Sequence, residues 1–156
     1  MSELQVVVFE VNGEFFGAEA SQVFQIIKYQ EATKVPKMPK FIEGMLNYRD
    51  TVLPVVNLAK RFDMGDIAVN KKTKILMTRI EDKFAGFIVN DVSEIVKFNE
   101  NEVDPVPNII NVETSAYLKK VARKGDRLIS IIDLESILTA DELEKLSNIK
   151  STADIS

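Results

Sequence analysis

The chemistry open to this chain is narrow. It contains no histidine and no cysteine. That excludes thiolate nucleophiles, disulfides, thiolate or imidazole metal ligands, phospho-accepting histidines and any Ser-His-Asp or Cys-His apparatus. Carboxylates are the only catalytic type present in quantity, with 24 Asp and Glu against 20 Lys and Arg. Glu100, Glu102 and Asp104 alternate in FNENEVDPVP, and hard cations take oxygen ligands. The stretch lacks the D-x-[DN]-x-[DN]-G pattern and closing glutamate of a calcium loop, so it reads as a solvated acidic loop. There is no GxxxxGK[ST] and no GxGxxG, hence no visible phosphate cradle. These residues predict a protein that is not an enzyme and carries neither metal nor cofactor.

One charged residue stands out by its surroundings. In FIEGMLNYRDTVLPVVNL (41–58) two apolar stretches flank the tetrad Asn47, Tyr48, Arg49, Asp50. Asparagine and aspartate suit a hairpin corner, and on that reading Arg49 is a solvated charge. The neighbours Gly44, Met45, Leu46, Val52, Leu53 and Pro54 are apolar on both sides, and an arginine set in an apolar patch is a typical binding anchor. The residues alone leave both readings open.

Basic residues gather in KVPKMPK (34–40) and YLKKVARKGDR (117–127). The second has apolar residues at Leu118, Val121 and Leu128, which makes its lysines the solvent face of a hairpin, where they discourage stray strand pairing. A small-barrel RNA-binding module is the alternative function. It would want stacking aromatics there, and Tyr117 alone is present. The net charge of −4 also argues against a general nucleic-acid binder. The N-terminus, MSELQVVVFEVNGEFF, lacks a basic n-region and a small-residue cleavage site, and no apolar run reaches the ~20 residues of a membrane helix. A cytoplasmic protein without membrane insertion is the expectation.

The elements that position these residues come in two copies. EFFGAEASQVFQIIKY (14–29) and KFAGFIVNDVSEIVKF (83–98) align without gaps at five identities, Phe15/Phe84, Gly17/Gly86, Val23/Val92, Ile26/Ile95 and Lys28/Lys97; composition alone predicts roughly one. LPVVNLAKRF (53–62) pairs likewise with ISIIDLESIL (129–138). Each copy reads as strands: β-branched runs at 6–11 and 75–80, partners at 15–20 and 84–89, third strands near 25–29 and 94–98, then hairpins 42–48 with 51–57 and 117–123 with 128–133. Asn12-Gly13 is a strong hairpin signal. Gly17 and Gly86 suggest close strand packing. Residues 58–62 and 134–138 look like single helical turns. Thr139 with Glu142 forms a capping box that predicts a C-terminal helix and tail over 139–156. The expectation is an all-β fold with short helices: subdomain one at about 14–63, subdomain two at about 73–138, and an N-terminal strand the two could share.

The stretch VFQIIKYQEATKVPKMPKFIEGMLNYRDTVLPVVNLAKRF (23–62) resembles the CheW-type coupling proteins of bacterial chemotaxis. It follows their order of V-x-x-I, V-P-x-x-P, I-x-G-x-x-N-x-R-G and V-x-P-V-x-x-L, and ISIIDL (129–134) is similar to their latter half. The resemblance covers roughly 4–138. It implies two SH3-like five-stranded β-barrels packed on a shared core, and a non-enzymatic adaptor. Such an adaptor couples the cytoplasmic helical tip of chemoreceptors (methyl-accepting chemotaxis proteins) to the regulatory domain of the histidine kinase CheA, and is recruited to membrane receptor clusters through those partners. By position in the motif, Val23, Ile26 and Arg49 are implied receptor-binding residues. Gly44, Asn47, Asp50, Thr51, Val52, Pro54 and Val55 are implied kinase-binding residues. Two positions depart from the pattern. Asp50 stands where relatives have glycine, and it is a candidate partner for Arg49 or Lys28. Gln25 stands where some relatives have glutamate, which removes a salt bridge to Arg49 from that position.

Overall fold

The computed structural model describes residues 3–106, 117–138 and 142. Its strands are β1 (Glu3–Val11), β2 (Glu14–Glu19), β3 (Gln25–Lys28), β4 (Ile42–Tyr48), β5 (Thr51–Asn57), β6 (Lys74–Ile80), β7 (Lys83–Val89), β8 (Asp91–Asn99), β9 (Val103–Pro105), β10 (Leu118–Lys124) and β11 (Arg127–Ile132). One short helix, α1 (Leu58–Arg61), follows β5, and 3-10 turns form at Ala20–Gln22, Glu100–Glu102 and Leu134–Ser136. The fold is all-β, as expected. The β9 strand and the 3-10 turn before it fall in FNENEVDPVP, the stretch read from sequence as a solvated acidic loop. The capping box at Thr139 and the helix over 139–156 lie outside the described residues, Glu142 apart.

The strands form two sheets, in the orders β3-β6-β7-β5-β4 and β8-β1-β2-β11-β10-β9. Contiguous segments 14–63 and 73–138 therefore do not each build one sheet. The β6–β7 hairpin of the second copy joins β3–β5, and the β1–β2 hairpin of the first copy joins β8–β11. The duplication is silent on this exchange, because a hairpin pairs equally well with its own copy or its twin when the two share one pattern.

Both sheets curl so that their edges approach. In the first, Thr33 follows edge strand β3 and bridges Met45 of the opposite edge, with two backbone hydrogen bonds of 2.8 Å. In the second, edge strand β8 runs through a single 3-10 turn into β9 on the far edge. Closure of this kind removes exposed edges. It also explains Gly44, which sits at φ +149° where a Cβ would overlap the Thr33 carbonyl; only glycine lets the backbones meet there.

Alternation along β1 sets the two barrels together. Val6 and Val8 join the core of the six-stranded barrel with Val96, Phe98, Ala122, Ile129 and Ile131. Phe9 and Val11, on the other face, join the larger core of the five-stranded barrel. Side chains of a strand point alternately to its two faces, so a strand covered on both sides is apolar throughout. That is why residues 6–9, VVVF, are all buried. Leu134, Ile137 and Leu138 also enter the larger core, carrying the chain beyond β11 back across the junction.

Gly17 and Gly86 occupy equivalent places in the two parallel pairings, Ile131↔Gly17 between β11 and β2 and Val55↔Gly86 between β5 and β7. A Cβ at Gly86 would lie 2.8 Å from Ile75 Cγ2 and 3.3 Å from Leu53 Cδ1, and one at Gly17 would overlap Val6 Cγ1. Their role is close packing of strand on strand.

Candidate functional site

The corner between β4 and β5 is a two-residue turn, Tyr48 pairing with Thr51. Both central residues, Arg49 at φ +50° and Asp50 at φ +66°, are left-handed, the conformation that matches the twist of the flanking strands. Aspartate enters this region more readily than most residues, so the turn survives without the usual glycine. No ion pair of Asp50 with Arg49 or Lys28 forms among the described residues. Arg49 is exposed, and its guanidinium carbon lies 5.2 Å from the centroid of the Tyr48 ring, a cation–π arrangement.

Tyr48 ties this corner to β3. Its hydroxyl accepts a hydrogen bond of 3.1 Å from Gln25 Nε2. Gln25 lies between Val23 and Ile26, so the expected receptor-facing strand and the arginine corner are joined through one tyrosine. A glutamate at position 25 could accept from a hydroxyl but could not donate to it; the Gln25 amide supplies the donor that Tyr48 accepts. Val23 and Ile26 are half-buried, packed against the larger core from its rim. Beside them Phe24 is 59% exposed and meets Phe84 edge-on at 5.0 Å. Sequence reading named Tyr48 in the corner and Gln25 as a departure from the pattern without joining the two, and passed over Phe24. The alignment of Phe15 with Phe84 flagged an aromatic there, but not its partner.

The residues expected at the kinase face divide by exposure. Asn47 and Asp50 are exposed, and Thr51 and Val52 are half-buried. Gly44, Pro54 and Val55 are buried; they shape the hairpin from beneath, Gly44 through barrel closure and Val55 through its pairing with Gly86.

The twin corner in the other barrel, at Lys124–Arg127, is a useful contrast. Gly125 takes the place of Arg49, with φ +62°. The neighbouring charges are engaged: Arg123 with Asp104 at 3.3 Å and with the Asn101 carbonyl at 2.9 Å, Lys124 with Glu94 at 3.9 Å. Arg127 covers the Phe15 ring at 4.9 Å. Hence Arg123, Lys124 and Arg127 are each engaged, and the turn position that Arg49 fills in the first corner is held here by Gly125. Leu128, opposite Arg123, is 66% exposed.

The remaining polar clusters are structural. Asn57 is buried beneath α1; its amide donates to Glu43 Oε1 (3.0 Å) and Asp66 Oδ1 (2.8 Å) and its oxygen caps Lys60 N–H (3.2 Å). Lys60 closes the group at 2.8 Å from Glu43, and that hydrogen bond, helped by the Glu43 and Asp66 charges against the cost of burial, raises the Lys60 pKa. Tyr29 is also raised, by burial first and then by Glu31, Glu43 and Asp66. Of the acidic run, Glu102 accepts the Asn99 N–H at 2.8 Å and Asp104 pairs with Arg123. Among the described residues no three carboxylates gather to hold a metal ion, and no helix is long and apolar enough to cross a membrane.

Comparison with known proteins agrees with this architecture. The chain is 29% identical to the chemotaxis protein CheW of Bacillus subtilis (strain 168) over 134 residues, 86% of each chain. It is 26% identical to that of Treponema pallidum (strain Nichols), over 94% of this chain and 89% of the relative. The crystal structure of the scaffolding protein TtCheW from Thermoanaerobacter tengcongensis superimposes with a TM-score of 0.82 at 32% identity, over 90% of this chain and 96% of that one. The CheW-like domain model matches residues 5–142, so the chain belongs to the CheW-like domain family of chemotaxis proteins.

Proposed function

We propose that this protein is a non-enzymatic adaptor that couples the helical cytoplasmic tip of chemoreceptors to the histidine kinase CheA. The observation that carries the reading is the contrast between the two corners. Arg123, Lys124 and Arg127 around the second corner each have a partner, while Arg49 is presented at a left-handed turn with, among the described residues, only its own neighbour Tyr48 beneath it. An exposed arginine held on an aromatic ring beside half-buried apolar residues has the make-up of an interface anchor.

On this reading, Val23 and Ile26 give apolar contact to a helix laid in a groove, and Arg49 supplies orientation and specificity at its rim. The other side of the hairpin, Asn47, Asp50, Thr51 and Val52, faces the regulatory domain of CheA, with Gly44, Pro54 and Val55 holding its shape. Two sites on one closed pair of barrels fix the partners' mutual geometry, which lets receptor state bias the kinase. Weak single contacts become effective when many such units act together. The protein acts in the cytoplasm and reaches receptor clusters through its partners.

Binary binding separates the two faces. Val23→Asp and Arg49→Glu should each weaken capture of a receptor signalling fragment tenfold or more, about 1.4 kcal/mol, with CheA regulatory-domain binding retained. Val52→Asp should do the reverse. Unchanged receptor capture by folded Val23→Asp and Arg49→Glu proteins would show the face to be misassigned.

A further inference from the structure

The five-stranded barrel closes at a seam between β3 and β4, the two edges of its sheet, which share no ladder. Two hydrogen-bonded links cross it. One is the backbone bridge between Thr33 and Met45; the other is the 3.1 Å bond from Gln25 Nε2 to Tyr48 Oη. Tyr48 lies three residues beyond Met45 on β4, about 10 Å along the strand. The side-chain link therefore pins the end of the seam next to Arg49.

The six-stranded barrel has a side-chain pair at the same place. Gln25 aligns with Glu94 between the two copies. Tyr48 and Lys124 each end the first strand of a hairpin, pairing across a two-residue turn with Thr51 and Arg127. Lys124 Nζ lies 3.9 Å from Glu94 Oε1. The equivalent pairs differ in chemistry. An ion pair serves where the next residue is Gly125, which has no side chain to place. Where the next residue is Arg49, the pair is neutral and one member is an aromatic ring, 5.2 Å from the guanidinium carbon. A lysine at position 48 would set a like charge beside Arg49; a tyrosine gives its cation a π face.

The Tyr48 side chain selects among staggered rotamers, and its bond to Gln25 holds the one that lies against Arg49. An exposed arginine samples many rotamers, and fixing one at an interface costs affinity. A ring already held in place lowers that cost. We propose that Gln25 is a positioning residue for Arg49, acting through Tyr48, so that the receptor-facing strand itself sets the direction of the arginine that completes its site. The inference rests on the adaptor reading for its partner.

The test is a mutant cycle on capture of a receptor signalling fragment by the full chain. Gln25→Met and Tyr48→Phe each remove one end of the hydrogen bond, and Tyr48→Phe keeps the ring. Each should weaken capture about three- to tenfold, the scale of ordering one long side chain. The two together should cost no more than either alone, and in an Arg49→Ala background Gln25→Met should change affinity less than about twofold. CheA regulatory-domain binding should stay within about twofold throughout. In the free chain, the Arg49 Hε resonance, displaced by the Tyr48 ring, should move toward that of an unstacked arginine in Gln25→Met. Thermal melts confirm that each variant is folded. Wild-type capture by Gln25→Met would overturn the proposal. So would an equal loss with and without Arg49, which would mean that Gln25 meets the receptor directly. If the wild type captures no receptor fragment, the adaptor reading falls, and an unmoved Arg49 resonance separately overturns the positioning.

Discussion

Replacing Gly86 by alanine tests whether the barrels are packed as described, through the sign of the effect. Neither Gly86 nor Gly17 has a left-handed φ. An alanine at an unstrained, uncrowded site would stabilise the chain by about 0.4–1 kcal/mol, by restricting the unfolded state. Here the added methyl would lie 2.8 Å from Ile75 Cγ2 and 3.3 Å from Leu53 Cδ1. Ile75 is fully buried, and its γ2 methyl is attached at a branched Cβ with little rotamer freedom, so it cannot swing away as a lysine tip would. Overpacking of this kind costs about 1–3 kcal/mol. The net expectation is a loss of about 1–2 kcal/mol, or a melting temperature about 2–8 °C lower for a chain of this size. Gly17→Ala should cost more, because its methyl would overlap Val6 Cγ1 and approach Ile129 Cγ2. Chemical denaturation of both variants beside the wild type decides it. A gain in stability for either would refute the close approach of β2 or β7 to its neighbours.

Further expectations concern the corner and the polar cluster beneath α1. Asp50→Val places a β-branched residue at φ +66° and should cost about 1–2 kcal/mol in urea unfolding, the scale of the left-handed penalty; Asp50→Gly should not destabilise, and equal losses for both would sink the turn assignment. Lys60 and Tyr29 both hold their protons more tightly in the folded chain, Lys60 through its hydrogen bond to Glu43 and Tyr29 through burial. The unfolded state then releases those protons first, so this share of stability is complete below their ordinary values of 10.5 and 10.0 and is lost as pH climbs beyond them. Lys60→Met should flatten the alkaline decline of the unfolding free energy, and an unaltered decline would contradict the role given to the Glu43 contact.

Much of this architecture could be read from the residues because local signals agreed with it. The hairpin at 42–48 and 51–57 needed only its apolar alternation and turn residues, and the turns after β5 and β11 were legible from their place after the last strand of each copy; their caps, Asn57 and Asp133, came with the structure. The exchange of hairpins between barrels was not legible, since repeated sequence describes a unit without saying which copy completes it. Arg49 was legible as a charge in an apolar setting, and Tyr48 beside it is its neighbour in sequence; the support of Tyr48 from Gln25 depends on barrel closure bringing opposite sheet edges together. The contacts of Gln22 with Asp133 and Leu134 were invisible because they cross from one barrel to the other. Its partners lie 111 and 112 residues away, and a glutamine has no local pattern that announces such a contact.

The central claim is that one molecule of this chain bridges two partners. Its most direct test is co-sedimentation of CheA with receptor signalling fragments arrayed on vesicles, with and without the protein. The account predicts that CheA pellets with the receptor when the wild-type chain is added. It also predicts that Arg49→Glu leaves CheA in the supernatant although that variant still binds CheA in solution. CheA pelleting equally well without the chain, or equally well with folded Val23→Asp and Arg49→Glu chains, would contradict it.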